Sequence, residues 1–447
     1  MTDGSGNGAV RSDHEMGSGH EAPSTKKLTI RQAAFIGVGS MVGAGIFSLL
    51  GPAGEVAGAA VWVSFLIAGA IAGLQGYSFA KFGARFPSAG GLLEYVQRAY
   101  GDGHFTGIIA WLIYATNIIV TAMVAISFGS YASEMFTDGD AAWLKGFAVL
   151  IVVVMTVLNV AGSKAVAHAQ TVVVVIVLGS LTVFAVATLS NIEPAFLAAS
   201  QYPDLSDIVA SVALTFFAFL GFGVITFTAK DLSEPSRQLP RAVFLALGMA
   251  TAIYVAIALG VFGTLPVDDV VASGATAIAV AAQPILGDFG FWMMSITALF
   301  ATAGATNAGL YPATGLSDEL TSDGQFPPVM GARTGRVSNG LLITALGAVI
   351  FVLAFDLSAV ASIGSAIALV VFTLITAGHL RVRTETGAQT WLLVLGVLSS
   401  GIVLVTFAFT TLVDEPGTAI AMAVVLLFSI VIDFVWKQRR EQQAAVV

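Results

Sequence analysis

Apolar runs near or above the roughly 18 residues that cross a bilayer as helix recur from end to end of this 447-residue chain. Lipid offers no partner to an unpaired backbone group, so such runs must be helices or strands of a closed barrel. The alternating segments of a membrane β-barrel are absent. Composition agrees, with 57% of residues hydrophobic and 10% charged, far from ordinary globular usage. The expected fold class is an all-α polytopic membrane protein. Its spans fall near 31–50, 58–79, 104–131, 142–161, 166–189, 207–229, 240–264, 289–316, 338–355, 357–380, 390–411 and 417–436, twelve in all.

Positive charge tests that count. With the N-terminus in the cytoplasm, 18 of the 19 basic residues fall on the cytoplasmic side and only Lys145 falls outside. The outer loops carry acids instead, among them Glu134, Asp138, Asp269 and Asp414. That is the positive-inside pattern, and a wrong count would scramble it. The protein is therefore expected in the cell (inner) membrane with both termini cytoplasmic. Residues 1–27 read as a disordered tail without the apolar core of a signal peptide. His14 and His20 in that tail read as bystanders, and no resident metal or cofactor is expected. Without cysteine, thiol chemistry and disulfides are excluded. Two loops are too long for simple turns. Lys81 to Gly103 is expected to form a short surface helix, and Pro266 to Asp288 either a lid or a passive cover.

Within the first span, Gly37 to Phe47 holds four glycines, Gly37, Gly39, Gly43 and Gly45, among eleven residues. Glycine disfavours helix by about 1 kcal/mol against alanine, so the stretch reads as a helix opened to offer backbone groups to a ligand. Small residues also let helices cross closely in lipid, and from this stretch alone the two readings stand level. A second Gly-interrupted stretch, Thr215 to Thr226, lies in the sixth span. Paired interruptions at corresponding places of two halves point to the binding site of a secondary transporter.

Gly39-Ser40-Met41-Val42-Gly43-Ala44-Gly45-Ile46-Phe47 resembles a signature of the amino acid–polyamine–organocation permeases. Arg85 to Gly91 with Tyr95 and Ala99-Tyr100-Gly101 is similar to that family's first cytoplasmic loop. Phe217 to Phe222, followed by Glu234-Pro235 and Leu239 to Ala242, is similar to its sixth span and the loop beyond. Asp323-Gly324 and Pro327 match the end of its eighth span. The resemblance implies the leucine-transporter fold: inverted repeats at 28–190 and 205–380, two appended helices at 388–437 and a cytoplasmic tail at 438–447. It also implies a substrate carboxylate on N–H groups of Ser40, Met41, Val42, Gly43, Ala44 and Gly45. The substrate ammonium would lie on carbonyls of Phe217, Ala218, Phe219 and Gly221, with Phe217 as outer gate. Half-helix termini favour charge of these signs.

Departures from the family pattern bear on energetics. The position of a proton-handling lysine in the fifth span is Val177, and that of an acid after the glycine pair in the sixth is Gly223. Intramembrane ionisable groups are the usual relays, and none falls in the middle of a span. A proton relay of the familiar kind is thus not expected. Exchange or facilitated passage remains open, as does sodium bound by oxygen ligands, for which Thr302 and Thr306 are the candidates. Absence of deep charge favours a neutral amino acid over a cationic or acidic one. Thr116, Asn117, Thr121, Ser362 and Ser365 read as polar selectivity or as helix–helix glue. A carrier of another small amine or organic cation and a non-transporting amino acid sensor are the rivals. An enzyme would need convergent catalytic groups such as His-Glu-x-x-His, and the five histidines are scattered. Substrate and lipid are the expected partners and nucleic acid is not. Oligomeric state is not legible.

Overall fold

The computed structural model describes residues 27–43, 45–87, 91–161, 164–335, 337–410, 413 and 416–444. Several expected features lie outside the described residues: tail residues 1–26, Ala44, Ser88 to Gly90, Asp414 and Glu415, and the last three residues. Among the described residues, sheet is limited to the antiparallel pair Arg333–Thr334 with Val337–Ser338 and a parallel bridge between Leu28 and Leu232. The rest of the ordered architecture is helical, as an all-α membrane protein requires. Among the described residues, ten helical stretches are long and apolar enough to cross a membrane, and two shorter apolar helices, Ile30–Val42 and Asn339–Ala354, accompany them. Each of the twelve ranges read from the sequence is mostly helical among the described residues.

The first range divides. Helix α1 (Ile30–Val42) starts at a capping box in which Gln32 N donates to Thr29 Oγ1 at 3.3 Å and Thr29 N to Gln32 Oε1 at 3.0 Å. It stops at Gly43, and α2 (Ile46–Ala57) begins after Gly45. The sixth range is α8 (Leu205–Phe216), then six residues of 3₁₀-helix, Phe217–Phe222, then α9 (Gly223–Phe227). The interruption expected there is thus a tighter winding rather than an open gap. A 3₁₀ stretch inside a helix marks a hinge or local strain.

Around these elements lie α3 (Val61–Arg85), α5 (His104–Thr137), α10 (Pro235–Phe262), α12 (Ala277–Ser322) and α15 (Leu357–Thr386). Burial separates centre from edge: 78% of the most apolar window is buried in Leu205–Thr226 and in Leu357–Thr386. For α6 (Ala141–Ala161) the share is 17%, and for the last helix, Pro416–Ala444, 22%. Those outer helices present aliphatic side chains where lipid is the natural solvent.

Both long loops are structured. In the first, α4 (Leu92–Tyr100) buries Leu93, Tyr95, Val96 and Ala99. In the second, α11 (Val267–Ser273) leads through Gly274–Thr276 into α12, which kinks at Gly287 (φ 65°). That loop sits directly on α2, for a methyl at Gly51 would lie 2.5 Å from Gly274 Cα. Lys145, the exception in the charge pattern, donates to the Leu353 carbonyl at 2.8 Å. Leu353 lies in the last turn of α14 (Asn339–Ala354), where the helix dipole favours a cation.

Candidate substrate site at the interrupted helices

The glycines of the first interruption do two different jobs. Gly37 and Gly39 stay in α1 and serve crossings: a methyl on Gly37 would lie 2.3 Å from Ile225 Cδ1, and one on Gly39 2.6 Å from Val174 Cγ2. Gly43 and Gly45 make the break. A methyl on Gly45 would fall 2.3 Å from Ala218 Cβ and 2.4 Å from Ala218 Cα. In return, a methyl on Gly221 would fall 2.6 Å from Met41 N and from Ser40 C. The two interruptions therefore meet backbone to backbone. On a third side, a methyl on Gly43 would be 3.1 Å from the Ala301 carbonyl oxygen in α12.

Ser40, Met41 and Val42 lie in the last turn of α1, so the helix itself uses their N–H groups. Gly43 N and Gly45 N reach back to Gly39 O at 3.4 Å and Met41 O at 3.2 Å. Helix α2 opens without a side-chain cap, so its first N–H groups, on Ile46 and Phe47, lack an acceptor within the helix.

Phe217, Ala218 and Phe219 are buried in the 3₁₀ segment. The Ala218 carbonyl accepts a hydrogen bond from Tyr254 Oη at 3.0 Å. Tyr254, on α10, is fully buried and its ring packs against Phe65 and Phe219 at centroid distances of 5.4 and 5.1 Å. Sequence reasoning did not single it out, although a buried tyrosine hydroxyl needs a partner. Phe217 meets Ile119 of α5 and Gly364 of α15, where a methyl would lie 2.8 Å from Ile119 Cγ2 and 2.9 Å from Phe217 Cε2.

Beside the break is a cavity of about 10 Å³ bordered by Gly39, Val42, Gly43, Val174, Val177 and Ala301. That is about one water molecule, and Val177 contributes only methyl groups to it. Thr302 and Thr306 on α12 are both buried, each hydroxyl donating one turn back, to Ala298 O at 2.6 Å and Thr302 O at 2.8 Å. Gly223 has open space, the nearest atom to a methyl there being Leu92 Cδ1 at 4.0 Å.

Most of the other polar side chains near the site are engaged in packing. Thr116 and Thr121 bond to their own helix, Asn117 donates to Gly309 O at 3.0 Å, and Ser365 donates to Ala213 O. Ser362 Oγ is buried without a hydrogen-bond partner among the described residues. Toward the end where α1 begins, Phe79, Phe222 and Phe372 close the bundle at centroid distances of 4.9 to 5.5 Å, with Tyr95 from α4 at 6.1 Å from Phe79.

Two ionisable residues near span ends prove buried. His379 holds Ser78 Oγ at 2.9 Å and Thr386 Oγ1 at 2.7 Å. Asp433 pairs with His104 Nδ1 at 2.7 Å and Lys437 Nζ at 3.1 Å. Both sit away from the interruptions, because α15 and the last helix run on past the expected span ends.

A family model described as amino acid permease matches residues 28–444. The inner membrane transport protein YbaT of Escherichia coli is 31% identical over 418 residues, 93% of this chain and 97% of its own length. An uncharacterized protein of Methanocaldococcus jannaschii is 32% identical over 385 residues, 83% of this chain and 88% of its own length. A mitochondrial cationic amino acid transporter of Arabidopsis thaliana is 26% identical over 407 residues, 85% of this chain and 65% of its own length.

Proposed function

This chain belongs to the amino acid permease family, and we propose from that premise that it moves a neutral amino acid across the cytoplasmic membrane by alternating access. What carries the reading is the reciprocal contact of the two interruptions, Gly45 on Ala218 and Gly221 on Ser40 and Met41. That contact supports reading the N–H groups opening α2 and the carbonyls of Phe217–Phe222 as the donors and acceptors for one zwitterion. The substrate carboxylate lies on the N-terminus of α2, where the helix dipole favours an anion. Its ammonium takes carbonyls of the 3₁₀ segment, with the Ala218 carbonyl already holding Tyr254. Phe217 is the gate.

Residues 28–190 and 205–380 are read as the two inverted repeats of a twelve-span bundle with both termini in the cytoplasm. In that orientation the aromatic cluster of Phe79, Phe222 and Phe372 seals the inner path. The names of several plant relatives specify cationic amino acids. A cation deep in the bundle needs a counter-charge. The residues named around the interruptions include no carboxylate, which supports the neutral substrate. Val177 and Gly223 leave no familiar proton relay. Transport is then exchange or facilitated passage, or is driven by sodium at Thr302 and Thr306.

The test is uptake of labelled amino acids by purified protein in liposomes, under no gradient, an inward sodium gradient, an inward proton gradient, and amino acid inside. Neutral amino acids are expected to move and lysine and arginine not to. Accumulation driven by protons alone would overturn the account of Val177 and Gly223.

A further inference from the structure

Away from the interruptions, a groove of about 440 Å³ runs between α5, α14 and the last helix, lined by residues that include Ile118, Phe351, Phe355, Ile420, Val424 and Phe428. That volume falls within the roughly 300–1,000 Å³ of ligand pockets, and no lining residue carries a polar side chain. The groove lies on the outside of the bundle, where Ile420, Val424 and Phe428 are exposed. It is also short. On the last helix it extends from Gly417 to Phe428, which at about 1.5 Å per residue is about 16 Å. The hydrocarbon of a bilayer is about 30 Å thick, so the groove covers one leaflet and stops near the midplane. A spanning helix of a second copy would need a face of full thickness. A lipid acyl chain reaches across one leaflet only.

The other end of the groove meets the membrane surface, because α14 stops at Ala354 and the last helix starts at Pro416. Lys145 stands there. Its Nζ lies 2.8 Å from the carbonyl oxygen of Leu353, which comes between the groove residues Phe351 and Phe355 in sequence. The side chain is exposed, and an ammonium has three donors, so one carbonyl leaves donors to spare. Lys145 is also the one basic residue that the charge pattern does not place in the cytoplasm. We propose that the groove is a phospholipid site, with one acyl chain lying between α5, α14 and the last helix and the phosphate on the Lys145 ammonium. Lysine binds phosphate as a point charge, and the apolar walls take the chain. The orientation proposed above decides only which leaflet supplies the lipid, namely the outer one.

The experiment titrates delipidated wild type, Lys145→Gln and Ala421→Leu, whose longer side chain fills the groove, with phosphatidylethanolamine and with diacylglycerol of the same chains. Bound lipid is counted by native mass spectrometry. Wild type is expected to hold one phosphatidylethanolamine at least fivefold more tightly than diacylglycerol. Lys145→Gln should bring the two within twofold, and Ala421→Leu should weaken both at least fivefold. If Ala421→Leu does not fold, Ile420→Trp at an exposed position fills the same groove and must show the same loss. Variants that bind both lipids as wild type does would overturn the proposal. So would a wild-type dimer that Ala421→Leu breaks into monomers, since the groove would then belong to a second copy. Orientation is read separately: the chain has no cysteine, so Lys145→Cys alone should react with a membrane-impermeant maleimide on intact cells. Reaction only after lysis would overturn the outer leaflet and the orientation together, without touching the lipid titration.

Discussion

Replacing Gly45 with alanine tests whether the two interruptions touch through their backbones. The added methyl would stand 2.3 Å from Ala218 Cβ and 2.4 Å from Ala218 Cα, whereas carbon atoms rest about 3.5–4.0 Å apart. The 3₁₀ segment and α2 must therefore separate by more than about 1 Å, and Ala218 has no long side chain that could swing away instead. Gly45 already lies in the right-handed helical region (φ −88°, ψ −59°), so alanine meets no backbone penalty and the cost is contact alone. Overpacking costs about 1–3 kcal/mol, and alanine at this N-cap position offers no offset, since glycine is preferred there. About 1–3 kcal/mol is roughly 5- to 150-fold in binding. The assay is equilibrium binding of a transported amino acid to detergent-purified protein, alongside its thermal melt. Gly73→Ala in α3, with nothing within 4 Å of the new methyl, is the control and should bind as wild type. Equal binding by Gly45→Ala and Gly73→Ala would refute the backbone contact.

Other substitutions probe the surroundings. Tyr254→Phe keeps the ring packing but strands the buried Ala218 carbonyl, a cost of about 1–3 kcal/mol, and should lower both substrate affinity and melting temperature; an unchanged melt would mean the hydroxyl holds nothing. Asp433→Asn removes a buried carboxylate from between His104 and Lys437. Because His104 is substantially exposed, the loss should be about 2 kcal/mol, below the usual range for a fully buried pair, seen in the melt and not in the order of substrate preference. Gln75 bonds Ser400 at 2.8 Å and Gly396 O at 3.3 Å while accepting from Thr376. Gln75→Leu and Ser400→Ala should therefore be non-additive in a double-mutant cycle by about 0.5 kcal/mol or more, and strict additivity would argue that the bridge is not formed.

Span positions were legible because they depend on the length of apolar runs and the placement of Lys and Arg, both properties of short stretches. The exception, Lys145, needed the fold, since its partner Leu353 is remote in sequence. The interruptions were legible as places but not as geometry. Gly37 and Gly39 are the same residue type as Gly43 and Gly45, and only Ile225 and Val174 lying against them show that the first two serve crossings. Where α1 stops at Gly43 and α2 resumes after Gly45 depends on the fold, which composition does not encode. Tyr254 reveals a need for a partner and nothing of which carbonyl answers it. The burial of His379 was hidden because α15 continues to Thr386 instead of stopping near residue 380.

The 3₁₀ winding of Phe217–Phe222 has a mechanical meaning. Six residues wound at three per turn and about 2.0 Å rise would, in α form at 3.6 per turn and about 1.5 Å rise, be about 3 Å shorter and turned by about 120° less. The segment is thus a short screw between α8 and α9. Unwinding it by that much would carry Phe222 away from Phe79 and Phe372 while pulling on Leu28, whose N–H is tied to the Asp231 carbonyl at 2.8 Å. One local change of pitch would loosen the aromatic seal and draw on the start of α1 together, a linkage that spin-label distances between α1 and α15 could follow.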